Sequence, residues 1–182
     1  MQFETVSSEH DSERSHVLVG VGHTGITVSD LRKSCRFYRE VLGFAVSEPL
    51  RISGESVARV TAVADAELDV AFVRCPGHVL ELLCFVRPEH KEPSRLRTCD
   101  PGFMHLCFKV RELDRVIQAV RAAGFDPLSS IETVQAGPAK GMRVVYTRDP
   151  DGVVLEFMEE PPGMRFEDLF FPEVTDTGVT RA

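Results

Sequence analysis

A chain of 182 residues that is 43% hydrophobic and 27% charged has the length and balance of one compact domain, or of two small modules sharing a core. Its formal net charge of −7 argues against nucleic acid or an anionic membrane as the main partner. No run approaches the ~18 uninterrupted apolar residues of a bilayer span, so no membrane-spanning helix is expected.

Residues 1–15 are polar and acidic, lack the basic start and apolar run of a signal peptide, and read as a disordered leader. The five cysteines are scattered without a Cys-x-x-Cys, so no disulfide framework is expected and a reducing cytoplasm is the default location. A first module, 16–86, opens on a strand-like stretch from His16 to Val28. Ser29-Asp30 then supplies a helix N-cap, Leu31, Cys35, Phe37-Tyr38 and Val41-Leu42 recur at helical spacing, and Gly43 stands where a terminating glycine belongs. Segments Val57–Val63, Leu68–Val73 and His78–Val86 read as the strands that complete this module. Residues 87–101, charged and with three prolines, read as a linker. The second module, 102–160, repeats the plan: a strand from Phe103 to Val110, a helical stripe over Leu113, Val116-Ile117, Val120 and Ala123, a stop at Gly124, and strands at Met142–Thr147 and Val153–Met158. Val134–Met142 has the composition either of a mobile loop that could close over a site or of an ordinary surface hairpin. In the tail, 161–182, the cluster Leu169-Phe170-Phe171 is expected to pack as an arm on its own domain or on a partner.

The two modules share a pattern. His23-Thr-Gly-Ile-Thr-Val28-Ser-Asp30-Leu31 aligns with His105-Leu-Cys-Phe-Lys-Val110-Arg-Glu112-Leu113, placing Val, an acid and Leu at the same offsets after His. The helical stretches end at Leu42-Gly43-Phe44 and Ala123-Gly124-Phe125, and Gly77-His-Val79-Leu80-Glu81 matches Gly152-Val-Val154-Leu155-Glu156.

Strand side chains alternate faces, so this repeat carries chemistry. Met104, Leu106, Phe108 and Val110 form an apolar row opposite His105, Cys107 and Lys109. Leu80, Leu82 and Cys84 oppose Glu81, Leu155 and Phe157 oppose Glu156, and Ile26 and Val28 oppose His23. Taken singly, each His reads as a hydrogen-bonded structural residue and each Glu as the wet side of a strand. Together, two imidazoles and two carboxylates at equivalent places, projecting from the faces away from the helices, make a coherent ligand set for Zn, Ni, Co, Mn or Fe(II). They can converge if the halves pair and curl into a cup. His78 is a weaker candidate, and His10, His16 and His90 have no assigned role. Lys140, Arg143 and Tyr146 are candidate contacts for an anionic substrate, against the plainer reading of solvated or packing residues.

The stretch from His23 to Leu31, with Phe37-Tyr38 and Val41-Leu42-Gly43-Phe44, resembles the entry motif of the vicinal oxygen chelate superfamily, and Tyr146-Thr-Arg-Asp149-Pro150-Asp151-Gly152-Val-Val-Leu-Glu156 is similar to its closing turn and ligand strand. That group includes glyoxalase I, methylmalonyl-CoA epimerase, extradiol dioxygenases, fosfomycin-modifying enzymes and bleomycin-binding proteins. The resemblance implies an α+β fold of two tandem βαβββ modules forming a cupped mixed sheet around a metal site, often within a homodimer. Its ligand positions fall on His23, Glu81, His105 and Glu156, and its cofactor would be one divalent metal ion, Ni, Co, Zn, Mn or Fe. Glu at the Glu81 position resembles the glyoxalase and epimerase branch. That likeness implies a lyase or isomerase acting on a small substrate through an enediolate-like anion, with Glu156 as base and Glu81 as its opposite-face partner. The alternatives are an Fe(II)-dependent dioxygenase and a non-catalytic drug-binding resistance protein. No glutathione-binding residues are recognisable.

Overall fold

The computed structural model describes residues 19–93 and 96–169. The leader, His10, His16 and Phe170-Phe171 therefore lie outside the described residues.

The first sheet contains β1 (Thr24–Thr27), β2 (Ala45–Val46), β3 (Leu50–Ser53), β4 (Glu67–Cys75) and β5 (His78–Arg87), in the order β1-β5-β4-β2, with β3 also paired to β4. The second contains β6 (His105–Lys109), β7 (Glu132–Thr133), β8 (Arg143–Arg148) and β9 (Val154–Glu159), in the order β6-β9-β8-β7. In each, the first strand runs parallel to the last and every other pairing is antiparallel. The α+β, two-module architecture expected from the repeat is present. β1 and β6 each pair on one side only among the described residues, which leaves two free strand edges.

Helix α1 (Leu31–Arg36) starts where Asp30 accepts the Lys33 amide at 3.0 Å, and it runs on through a π-helical turn, Phe37–Val41. In the second half α3 (Leu113–Ala122) holds the same place. Gly43 (φ +74°) and Gly124 (φ +84°) end the two helical stretches in the left-handed conformation that glycine adopts at least cost.

Between the sheets lies one core. Ile26, Val28, Ala71, Val73, Leu80 and Leu82 bury the inner face of the first sheet, Val145, Leu155 and Phe157 that of the second, with both helical stretches packed among them. The Phe37 ring meets Phe125 edge-on at 4.9 Å, and Phe44 meets Phe108 at 5.4 Å, so the halves join through their helix sides. The turn before β9 fastens this joint. Asp149 accepts the Tyr38 hydroxyl at 3.2 Å and the amides of Asp151 and Val153 at 2.9 Å. Asp151 accepts the Ser29 amide at 2.8 Å and the Ser34 hydroxyl at 3.1 Å. Burial raises the Asp149 carboxyl above its ordinary pKa, partly offset by these donors, and burial beside Asp149 raises the Tyr38 phenol.

Two expectations need correction. Val57–Val63 is not a strand: Glu55–Thr61 forms α2, with Arg59 reaching Glu55 at 3.0 Å one turn away and Ala62 closing it in the left-handed region. Val57 and Val63 pack there on Ala66, Leu68 and Val70, a second small core that outweighs β-branched propensity. Met104 does not join the apolar row: it precedes β6 and is 74% exposed, while Leu106, Phe108 and Val110 pack as expected. For Arg143 the packing reading holds: it points to the helix side, bonded to Glu159 at 2.6 Å and Asp114 at 2.8 Å, and braces α3. Val134–Met142 forms a hairpin, closed by bonds from the Val134 amide to Met142 and from the Gly141 amide to Val134, each at 2.9 Å, with Lys140 exposed in its turn.

Candidate metal centre

Hydrogen-bonded strands place register partners side by side on one face. On the first sheet, Gly25, Glu81 and Phe72 stand in one row. On the second, Cys107, Glu156 and Tyr146 stand in the equivalent row. The neighbouring rows toward the β4–β5 and β8–β9 turns carry Val79 and Arg74 on the first sheet, and His105, Val154 and Arg148 on the second. His23, two residues before Gly25, lies on the same side as Glu81.

Each half brings together one His and one Glu. His23 Nε2 lies 3.1 Å from Glu81 Oε2, and His105 Nε2 lies 2.9 Å from Glu156 Oε2. The histidine side chains are 50% and 37% exposed and the glutamates 20% and 18%, so both pairs sit on open faces with the carboxylates set deeper. Two donors at right angles on one metal, each about 2.1 Å from it, would be about 3.0 Å apart, so each pair fits as half of a nitrogen–oxygen ligand set. The four residues do not converge within one chain: among the described residues no group of three or more His, Cys, Asp or Glu side chains is placed to hold a metal. His78 instead hydrogen-bonds the Thr24 hydroxyl at 2.8 Å.

The surroundings of the two carboxylates differ. A Cβ at Gly25 would come within 3.3 Å of Leu83 Cδ1 and 3.9 Å of Glu81 Oε2, so the bare backbone leaves the Glu81 flank clear, and Phe72, 37% exposed, forms an apolar wall opposite. Glu156 has the Cys107 thiol on one side, and partial burial together with the Glu156 charge pushes that thiol up to about 12. Tyr146 stands on the other side, its ring 5.2 Å from the His105 ring, and burial followed by the Glu156 charge raises its phenol.

Sequence reasoning passed over Phe72, Arg74 and Arg148. The signal was present: Phe72-Val-Arg74 and Tyr146-Thr-Arg148 extend the repeat upstream of both β5 and β9.

The sequence profile of the Glyoxalase/Bleomycin resistance protein/Dioxygenase superfamily matches residues 20–157. The chain belongs to this superfamily. It is 33% identical to a 2-epi-5-epi-valiolone epimerase from Actinomyces over 165 residues, covering 85% of this chain and 90% of that protein. It is 29% identical to a probable lactoylglutathione lyase from Vibrio parahaemolyticus, covering 75% of this chain and 88% of that one. A glyoxalase family protein from Bacillus cereus shares the fold, with a TM-score of 0.69 at 23% identity over 79% of this chain and 95% of its own. Relatives in this superfamily are enzymes of epimerase and lyase type, and the site must say what this member does.

Proposed function

We propose that this superfamily member is a divalent-metal-dependent isomerase or lyase whose site is completed by a second copy of the chain, the His23–Glu81 pair of one joining the His105–Glu156 pair of the other. The observation that carries this reading is the presence of a His–Glu pair at ligand spacing on the open face of each sheet, at equivalent places in the repeat. Three features support a second copy. The two pairs stay apart within one chain, β1 and β6 keep free edges, and the exposed apolar residues Val19, Val21 and Met104 lie just before those strands. Edge-to-edge pairing of β1 with the partner's β6 would join the sheets into one cup in a two-fold dimer.

A divalent metal, when bound, supplies Lewis-acid stabilisation of negative charge on substrate oxygens. The chain's own groups do the rest. Glu156 takes a proton from the carbon beside a carbonyl, and Glu81, reaching the substrate from the other half, returns or takes one on the opposite side. Tyr146 offers its hydroxyl to a substrate oxygen, and Phe72 keeps water from the Glu81 side. A glutamate from each half suits an epimerase, which needs an acid–base group on each side of one carbon, and it fits the relative from Actinomyces.

The test combines metal analysis of protein purified without added metal with deuterium exchange at the α-carbon of small hydroxyketones, followed by NMR. Near-stoichiometric Ni, Co, Zn or Mn with solvent-derived deuterium that disappears in Glu156→Gln supports the reading. Iron retained by Glu81→Ala, with oxygen consumed, would replace it with dioxygenase chemistry. Protein that takes up no metal would leave a binding protein.

A further inference from the structure

Five arginines lie in strands: Arg51, Arg74, Arg87, Arg143 and Arg148. Three have carboxylate partners. Arg51 binds Asp69 and Glu67, Arg87 lies 3.5 Å from Glu67, and Arg143 binds Glu159 and Asp114. Arg74 and Arg148 are the two on the ligand faces, and among the described residues neither has an ion pair. Arg74 is exposed, and half-buried Arg148 gives one N–H to the Gly152 carbonyl at 2.6 Å, with no other partner for its donor fork among the described residues.

Their positions correspond. Arg74 stands beside Val79, two residues before Glu81, and Arg148 beside Val154, two residues before Glu156. Arg148 and His105 flank Val154 on opposite sides, so their Cα atoms are two strand spacings, about 10 Å, apart. Two guanidinium groups without an ion pair among the described residues thus stand at matching places on the faces of the two His–Glu pairs, while the remaining strand arginines brace the sheets through carboxylates.

Charge gives these groups a task. Two glutamates cancel the charge of a divalent metal held with two neutral histidines, so the metal centre as a whole attracts an anionic ligand only weakly. A substrate carrying its own negative group needs a separate cation, and a planar fork with free donors suits a carboxylate or phosphate.

We infer that Arg74 and Arg148 form an anion subsite at the rim of the cup, one contributed with each half-site, and that the substrate is a small oxygen chelator bearing a carboxylate or phosphate arm. This rests on the metal reading above. A pair of hydroxamates separates the two: succinic acid monohydroxamate, which chelates through two oxygens and carries a carboxylate, and its neutral primary amide. Their affinities for the cobalt-loaded protein are measured by calorimetry and by the cobalt visible spectrum.

The carboxylate compound is expected to bind about tenfold tighter than the amide, the scale of one hydrogen bond to a charged group after screening. Arg74→Gln and Arg148→Gln should each reduce that preference and the double variant should remove it, with cobalt content and amide affinity unchanged. The preference should also shrink as salt rises. Equal binding of the two compounds to wild type, or a preference that survives the double substitution, overturns the subsite while leaving the metal centre standing. Failure of the neutral amide to bind, or of cobalt to load, overturns the metal reading and the subsite with it.

Discussion

In the first sheet Glu81 stands between Gly25 and Phe72, whereas in the second Glu156 stands between Cys107 and Tyr146. The His–Glu spacing is nearly the same in both, 3.1 and 2.9 Å, and the positions correspond strand by strand. The pair is thus the repeated feature, while its flanks differ: one carboxylate has room and an apolar neighbour, the other stands between a thiol and a phenol. The comparison also separates the turns. The β4–β5 connection is the short Pro76-Gly77, while the β8–β9 connection carries Asp149 and Asp151, which fasten the second half to α1 of the first.

The two His–Glu pairs give the largest expected effects. Glu156→Gln keeps shape and an oxygen donor but cannot take a proton, and should lower proton exchange by about 10²–10⁴-fold with the fold intact, read by NMR and thermal melting. Equal exchange in wild type and variant would remove Glu156 as base. Glu81→Gln tests the other carboxylate: loss of epimerisation with exchange retained would assign it the opposite side of the substrate. Asp149→Ala should cost about 3 kcal/mol in chemical denaturation, since it strips partners from the buried Tyr38 hydroxyl and two amides. The matching change in the first half, Gly77→Ala at φ +72°, should cost only about 1 kcal/mol. Similar losses in the two would mean that the Asp149 turn fastens nothing.

The strand faces were legible because alternation is a local property: Leu80, Leu82, Leu155 and Phe157 bury, and Glu81 and Glu156 oppose them. α2 was not legible, because Val57 and Val63 in a short β-branched stretch suit either period and only the packing on Leu68 and Val70 decides. Arg143 left two readings open, substrate contact or packing residue, and its bonds to Glu159 and Asp114 decide for packing. How the two His–Glu pairs would meet under the proposed reading was beyond any single-chain pattern, since each sheet holds only its own pair.

The smallest effect concerns pH. Asp149 has its carboxyl raised by burial, so its contribution to stability is full below the ordinary Asp range and declines as pH rises through the elevated value. Asp149→Asn should flatten that decline relative to wild type in pH-dependent denaturation, and an unchanged profile would mean the carboxyl ionises as it does in the unfolded chain.

Complementation between two inactive chains tests the shared site most directly. One chain carries His23→Ala with Glu81→Ala, the other His105→Ala with Glu156→Ala, and the two are co-expressed with different tags and purified through both. A site built from two chains leaves each double variant alone without metal, yet restores about one metal ion per heterodimer, because one of its two sites then contains all four ligands. A heterodimer as empty of metal as its parents, or no stable association of the two chains, would contradict the account.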